Sequence, residues 1–258
     1  MNALIEVPAG GPWFEGHFPG RPILPGVAQL MLVLDALARE ARRPVPIQGI
    51  AFARLRQLVF PGDRLELVAR DQEAVRLRFD LKREGVLVAN GEFILGTPPA
   101  PRGATILYAT PETPAATARP LDDLLPQRPP MRLLTSILRL TTGGLTCAAH
   151  MPGKCALVVA GSAPAVASIE AAAQATAAWD ALRRWRNTGV ASPRVGYLVA
   201  LREVAFFTER IPADREMLVC VSLEAAAPPL THYRFEVALE GMPVTRGTIA
   251  TFLADDGG

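Results

Sequence analysis

A chain of 258 residues, 50% hydrophobic and 20% charged, has room for one large domain or two of ordinary size, and its composition is that of a globular protein rather than a disordered one. Lys and Arg (27) nearly balance Asp and Glu (25), leaving a net charge of +2 with no basic run, which speaks against a nucleic-acid-binding surface. The three cysteines, Cys147, Cys155 and Cys220, form no C-x-x-C pair, so neither a disulfide framework nor a metal or redox motif is expected, and reduced thiols in the cytoplasm fit. The N-terminus, Met-Asn-Ala-Leu-Ile-Glu-Val-Pro, has no basic region followed by an apolar run, so no secretory signal is expected. The apolar run at 23–38 is interrupted by Asp35 and is too short for a membrane span.

In chain order, the first informative stretch is Trp13-Phe-Glu-Gly-His17-Phe-Pro-Gly-Arg-Pro22-Ile-Leu-Pro25-Gly-Val, one histidine in a loop bounded by glycine and proline. Pro25 and Gly26 then start a helix that runs to about residue 43, with Val27, Leu30, Met31, Leu34 and Leu37 at helical spacing and Pro44 and Pro46 to stop it. Antiparallel strands are expected at 47–59, 65–70, 74–82 and 86–95, with a turn at Pro61-Gly62-Asp63 and a hairpin at Arg83-Glu84-Gly85. The alternation Val75-Arg-Leu77-Arg-Phe79-Asp-Leu81-Lys82 gives one buried and one wetted face. Residues 97–120 are proline-rich and read as a semi-rigid linker.

After it the pattern recurs: strands at 131–140 and 145–150, a helix at 164–186, and strands at 197–207, 216–225, 232–240 and 244–252. Phe60-Pro-Gly-Asp-Arg64 aligns on Ile211-Pro-Ala-Asp-Arg215, and Pro25-Gly-Val-Ala-Gln-Leu-Met31 on Pro164-Ala-Val-Ala-Ser-Ile-Glu170, while Glu240-Gly241 mirrors Glu84-Gly85. The chain is thus expected to be two copies of one α+β domain, each a long helix wrapped by an antiparallel sheet, at 1–96 and 121–258.

With these motifs in place, the first copy resembles the hotdog-fold 3-hydroxyacyl-acyl-carrier-protein dehydratases of the FabA/FabZ type, which carry G-H-F-P-x-x-P-I-x-P-G-V. The second copy is similar to the same family elsewhere: Leu125-Pro-Gln-Arg-Pro-Pro-Met131 to its L-P-H-R-x-P segment, and Ile169-Glu170-Ala-Ala-Ala-Gln174 to its I-E-A-M-A-Q helix. The whole resembles a fusion of the aryl polyene ApeI-like and ApeP-like dehydratase pair, and shares its logic with the double hotdogs of polyketide synthases. The resemblance implies two tandem hotdog domains forming an intrachain pseudo-dimer, with a histidine from one unit and a carboxylate from the other meeting at their interface.

The losses in the two copies are complementary. The first has His17 but Met31 six residues after Pro25, and the second has Glu170 six residues after Pro164 but Ala156 where a histidine would fall. His150 lies fourteen residues before Pro164 and would need a six-residue shift to serve. One complete site, from His17 and Glu170, and one dead site are expected.

Dehydration of a 3-hydroxyacyl thioester needs a base for the α-proton, an acid for the departing hydroxyl and a dipole for the thioester oxygen. His17 suits the base. Glu170, set among alanines, suits an acid kept protonated by desolvation. Gly26 opens a helix whose N–H groups and dipole suit the oxyanion, with Pro25, Phe18 and Gln174 as candidate substrate-binding residues. Gln174 could equally hydrogen-bond Glu170 one turn away or face solvent. Met31 is read as core packing, Gln127 as structural, and Arg42-Arg43 and Arg183-Arg184-Trp-Arg186 as helix C-terminal cations.

The expected activity is conversion of 3-hydroxyacyl groups to 2-enoyl thioesters on the phosphopantetheine arm of an acyl carrier protein, with no metal and no organic cofactor. Two rivals are a non-catalytic carrier-protein-binding module and a hotdog thioesterase. An internal pseudo-dimer makes further homo-oligomerisation optional.

Overall fold

The computed structural model describes residues 1–72, 75–101, 119–189 and 193–253, so most of the proline-rich 97–120 segment lies outside the described residues. The elements run β1 (Asn2–Glu6), α1 (Gly26–Ala41), β2 (Ile47–Leu55), β3 (Arg64–Gln72), β4 (Arg76–Arg83), β5 (Val86–Leu95), β6 (Leu134–Leu140), β7 (Gly144–Ala149), β8 (Ser162–Pro164), α2 (Ser168–Thr188), β9 (Gly196–Phe206), β10 (Arg210–Pro212), β11 (Met217–Ala227), β12 (Leu230–Leu239) and β13 (Met242–Leu253).

Eleven strands form one antiparallel sheet in the order β1-β3-β4-β5-β2-β9-β13-β12-β11-β7-β6, while β8 and β10 pair separately. Read outwards from the β2–β9 seam, the order of the first half (β2, β5, β4, β3, β1) matches that of the second (β9, β13, β12, β11, β7), with β6 added at the far edge. The halves join through backbone ladder bonds, with Ile50 opposite Val204 and Ala53 opposite Leu201. This is the double hotdog arrangement, and it brings the two helices together at the centre of the molecule.

The repeat is visible down to backbone angles. Glu84 and Gly85 have φ of 51° and 78°, and Glu240 and Gly241 have 50° and 78°, the paired positive values that a tight two-residue hairpin needs to match strand twist. Helix α1 buries Val27, Ala28, Leu30, Val33 and Leu37. Alanines 171, 172, 175 and 178 on α2 let that helix settle onto the inner face of β11 and β7. Phe79 and Phe93, stacked at 5.0 Å, and the buried Phe206, Tyr233 and Phe235 supply the large aromatic bulk, each contributing roughly 2–3 kcal/mol through removal from water.

Several details differ from the sequence expectations, among them β2, which ends at Leu55 and not at 59, and β6, which starts at Leu134 and not at 131. The strand β1 was not expected: five residues with only Ile5 fully buried carry too little alternation to register, yet they pair with β3 along their whole length. The second helix starts later than 164, because Ala165–Ala167 forms a 3-10 turn that Ser168 closes by donating its hydroxyl to the Ala165 carbonyl at 2.7 Å. The three-residue ribbon of β8 and β10 was also unforeseen. Among the described residues no helix is long and apolar enough to cross a membrane.

Candidate active site

His17 sits in the loop between β1 and α1, and that loop is clipped to the other half of the chain. Gly16 accepts a hydrogen bond from the Arg128 N–H at 3.0 Å. Its φ is +80°, and a Cβ there would lie 2.0 Å from the Arg128 carbonyl oxygen, so only glycine permits the approach. His17 itself is 7% exposed, and the Phe18 ring stacks on its imidazole at 4.1 Å. Its Nδ1 lies 2.9 Å from the Ile23 carbonyl oxygen. A carbonyl only accepts, so Nδ1 carries the hydrogen and donates, which in the neutral ring leaves the lone pair that a base requires on Nε2.

Glu170, 3% exposed, lies in the first turn of α2. Gln174, one turn on, is wholly buried, and its orientation is dictated by backbone. Its Oε1 accepts from the N–H groups of Leu133 (2.9 Å) and Leu134 (3.4 Å), and its Nε2 donates to the Met131 carbonyl at 2.7 Å and to Glu170 Oε1 at 3.0 Å. Glu170 Oε1 is therefore held as an acceptor by Gln174. Burial pushes the Glu170 carboxyl above its usual value of 4.5; the neighbouring His17, Gln174 and Gln127 pull the other way. The influence of His17 on Glu170 is itself the sign that residues 153 positions apart in sequence have come together.

Both face one cavity of about 400 Å³, also lined by Phe18, Gly26, Gln29 and Gln127. Gly26 is the first residue of α1, and its N–H has no carbonyl of a preceding helical turn to donate to. A Cβ on Gly26 would meet Leu55 Cδ1 at 2.7 Å and Leu198 Cδ2 at 3.2 Å, so its lack of a side chain keeps the cavity open at that point. From Glu170 the cavity follows one face of α2 past Ala173, Thr176 and Ala177 to Asp180, roughly 15 Å along the axis at the rise of a helix.

The structure thus brings together His17, Phe18, Gly26 and Glu170. Pro25 and Gln174 are not in the cavity wall: Pro25 accepts the backbone N–H groups of Ala28 and Gln29, and Gln174 reaches the site only through Glu170. Met31 and His150 are not in this wall either, and Met31 packs against the core. Gln127, which the sequence reading took as structural, is 5% exposed and lies beside Glu170 in the cavity wall. Its one sequence signal was its place in the Leu125-Pro-Gln-Arg segment. Gln29 and Asp180 gave none, since helical amides and acids are ordinary surface residues until the tertiary fold turns them inwards.

Fold and site together define a double hotdog of the dehydratase class. The ApeP dehydratase family model matches residues 119–257 and the ApeI dehydratase model residues 1–92. The chain belongs to the ApeP-like dehydratase family, with an ApeI-like half preceding the ApeP-like one. It is similar to the 3-hydroxyacyl-acyl-carrier-protein dehydratase FabZ of Myxococcus xanthus, at 37% identity over 111 residues, 36% of this chain and 70% of that protein. Among solved structures it shares its fold with a monomeric dehydratase domain from a trans AT polyketide synthase split module (TM-score 0.71, 12% identity, 98% of this chain and 99% of that one). A second is the dehydratase domain of PpsC from Mycobacterium tuberculosis (TM-score 0.70, 14% identity, 99% and 93%).

Proposed function

We propose that this chain dehydrates 3-hydroxyacyl thioesters carried on an acyl carrier protein, giving 2-enoyl thioesters and water, at a single site shared between its halves. The observation that carries the reading is that His17 from the first half and Glu170 from the second wall the same cavity. In the proposed reaction Nε2 of His17 removes a proton from C2, and negative charge grows on the thioester oxygen, where the Gly26 N–H and the positive end of the α1 dipole stabilise it. Glu170 gives its proton to the C3 hydroxyl, the C3–O bond breaks, and water leaves as the C2–C3 double bond forms. The carboxylate left behind is held through Oε1 by Gln174, and the imidazolium then returns its proton to Glu170, resetting the site.

These steps call on no metal and no organic cofactor. The proposed partner is an acyl carrier protein presenting its phosphopantetheine arm, and the proposed compartment is the cytoplasm, a reading supported by three free thiols. Incubation with a 3-hydroxyacyl thioester of acyl carrier protein, followed by mass spectrometry of the intact carrier, tests the reading. Loss of one water from the acyl group is expected. Release of free acid and thiol would replace the reading by thioesterase activity, and retention on the carrier protein without any turnover by a binding module.

A further inference from the structure

A buried amide oxygen without a hydrogen-bond partner is costly unless something else supplies the donor. Gln127 Oε1 is such an atom: buried, unpartnered among the described residues, and part of the wall that also holds His17 and Glu170. Gln127 also lies close enough to Glu170 to favour its charged form, against the effect of burial. The orphan oxygen therefore belongs to the same cavity as that carboxyl group, where the proposed acid delivers its proton. At that place a 3-hydroxyacyl thioester offers one donor, the O–H on C3.

Resting on the dehydration reading above, we propose that Gln127 Oε1 accepts a hydrogen bond from the substrate's 3-hydroxyl and so turns a lone pair of that oxygen towards the proton on Glu170. Gln127 forms and breaks no covalent bond. The proton passes from Glu170 to the hydroxyl oxygen, the C3–O bond breaks, and the hydroxyl's own hydrogen stays on the departing water. The enoyl product has no donor at C3, so the orphan oxygen also makes the site discriminate substrate from product.

Equilibrium binding to the His17→Ala protein, in which the substrate survives, tests this with two probes, 3-hydroxyoctanoyl pantetheine and octanoyl pantetheine, by calorimetry. The hydroxylated probe should bind roughly tenfold more tightly. Adding Gln127→Met should abolish that preference, read as the ratio of the two affinities, while octanoyl binding stays measurable, which doubles as the check that the cavity is intact. Adding Gln127→Glu, which keeps an acceptor oxygen, should retain it. If the Met variant does not fold, Gln127→Asn, which withdraws the oxygen by one methylene, should lose the preference in its place. Absence of a preference in His17→Ala, its survival in the Met or Asn variant, or its loss in the Glu variant overturns the proposal. Failure of the dehydration reading shows separately, as no turnover by the unmutated chain.

Discussion

The two halves share a strand order, matched hairpins and a central helix, yet they have divided one set of chemical groups between them. The first half keeps the histidine loop and the helix that opens on Gly26, and has Met31 where the second has a carboxylate. The second keeps Glu170, its amide partner Gln174 and the neighbouring Gln127, and has Ala156 where the first has His17. In the proposed reading this difference makes both copies necessary to one site. A pseudo-dimer with two equivalent sites would need all the groups twice, whereas one composite site leaves each copy free to lose what the other supplies.

The largest expected effect comes from removing either contribution. His17→Ala or Glu170→Gln should lower dehydration roughly a hundred- to ten-thousand-fold with the circular-dichroism spectrum unchanged, and near-normal turnover in either would break the division of labour. Next is the clip between the halves. Gly16→Ala drives a Cβ into the Arg128 carbonyl and should cost about 3 kcal/mol in denaturant unfolding. Gly20→Ala, at φ +75° with nothing within 4 Å, should cost only about 1 kcal/mol. Equal costs would mean that the loop is not anchored to the second half. Gln174→Leu strips partners from the Leu133 N–H and the Met131 carbonyl and should destabilise by about 1–3 kcal/mol, with activity falling as Glu170 loses its fixed orientation.

The smallest effects compare one buried carboxyl from each half, and they have opposite signs. Hydrogen bonds from Arg78 and Arg76 hold Glu92 below its usual 4.5, so its stabilising contribution is present at neutral pH and lost as pH falls below that value. Burial holds Glu170 above 4.5, so the native state gains from it at acid pH and loses that gain as pH rises. Melting curves should show Glu92→Gln less stable than wild type at neutral pH with the gap closing in acid. Glu170→Gln should gain on wild type as pH increases. Parallel trends in the two variants would contradict the assignment.

How much of this could be read from the chain depended on whether the signal was local. His17, Gly26 and Glu170 stand in continuous strings whose internal spacing exposes the repeat, and the repeat exposes the complementary losses. The Glu84-Gly85 and Glu240-Gly241 hairpins were legible for the same reason. Strands β1, β8 and β10 were not, because three to five residues hold too few alternations to stand out from loop. Gln127 reads from the sequence as structural, because a glutamine in place of the family's histidine, between proline and arginine, carries no signal of its own. Docking against the Gly16 loop, through the backbone bond from the Arg128 N–H to the Gly16 carbonyl that the missing Cβ of Gly16 permits, is a tertiary contact that the sequence pattern does not show.

The central claim is that His17 and Glu170 of the same chain build one site, and it is tested most directly by mixing two inactive full-length variants. His17→Ala and Glu170→Gln proteins, combined at equal concentration and assayed for loss of water from a 3-hydroxyacyl carrier protein, should remain as inactive together as apart. Recovery of a substantial share of wild-type activity on mixing would mean that the histidine of one chain serves the carboxyl of another, and would contradict the intrachain site.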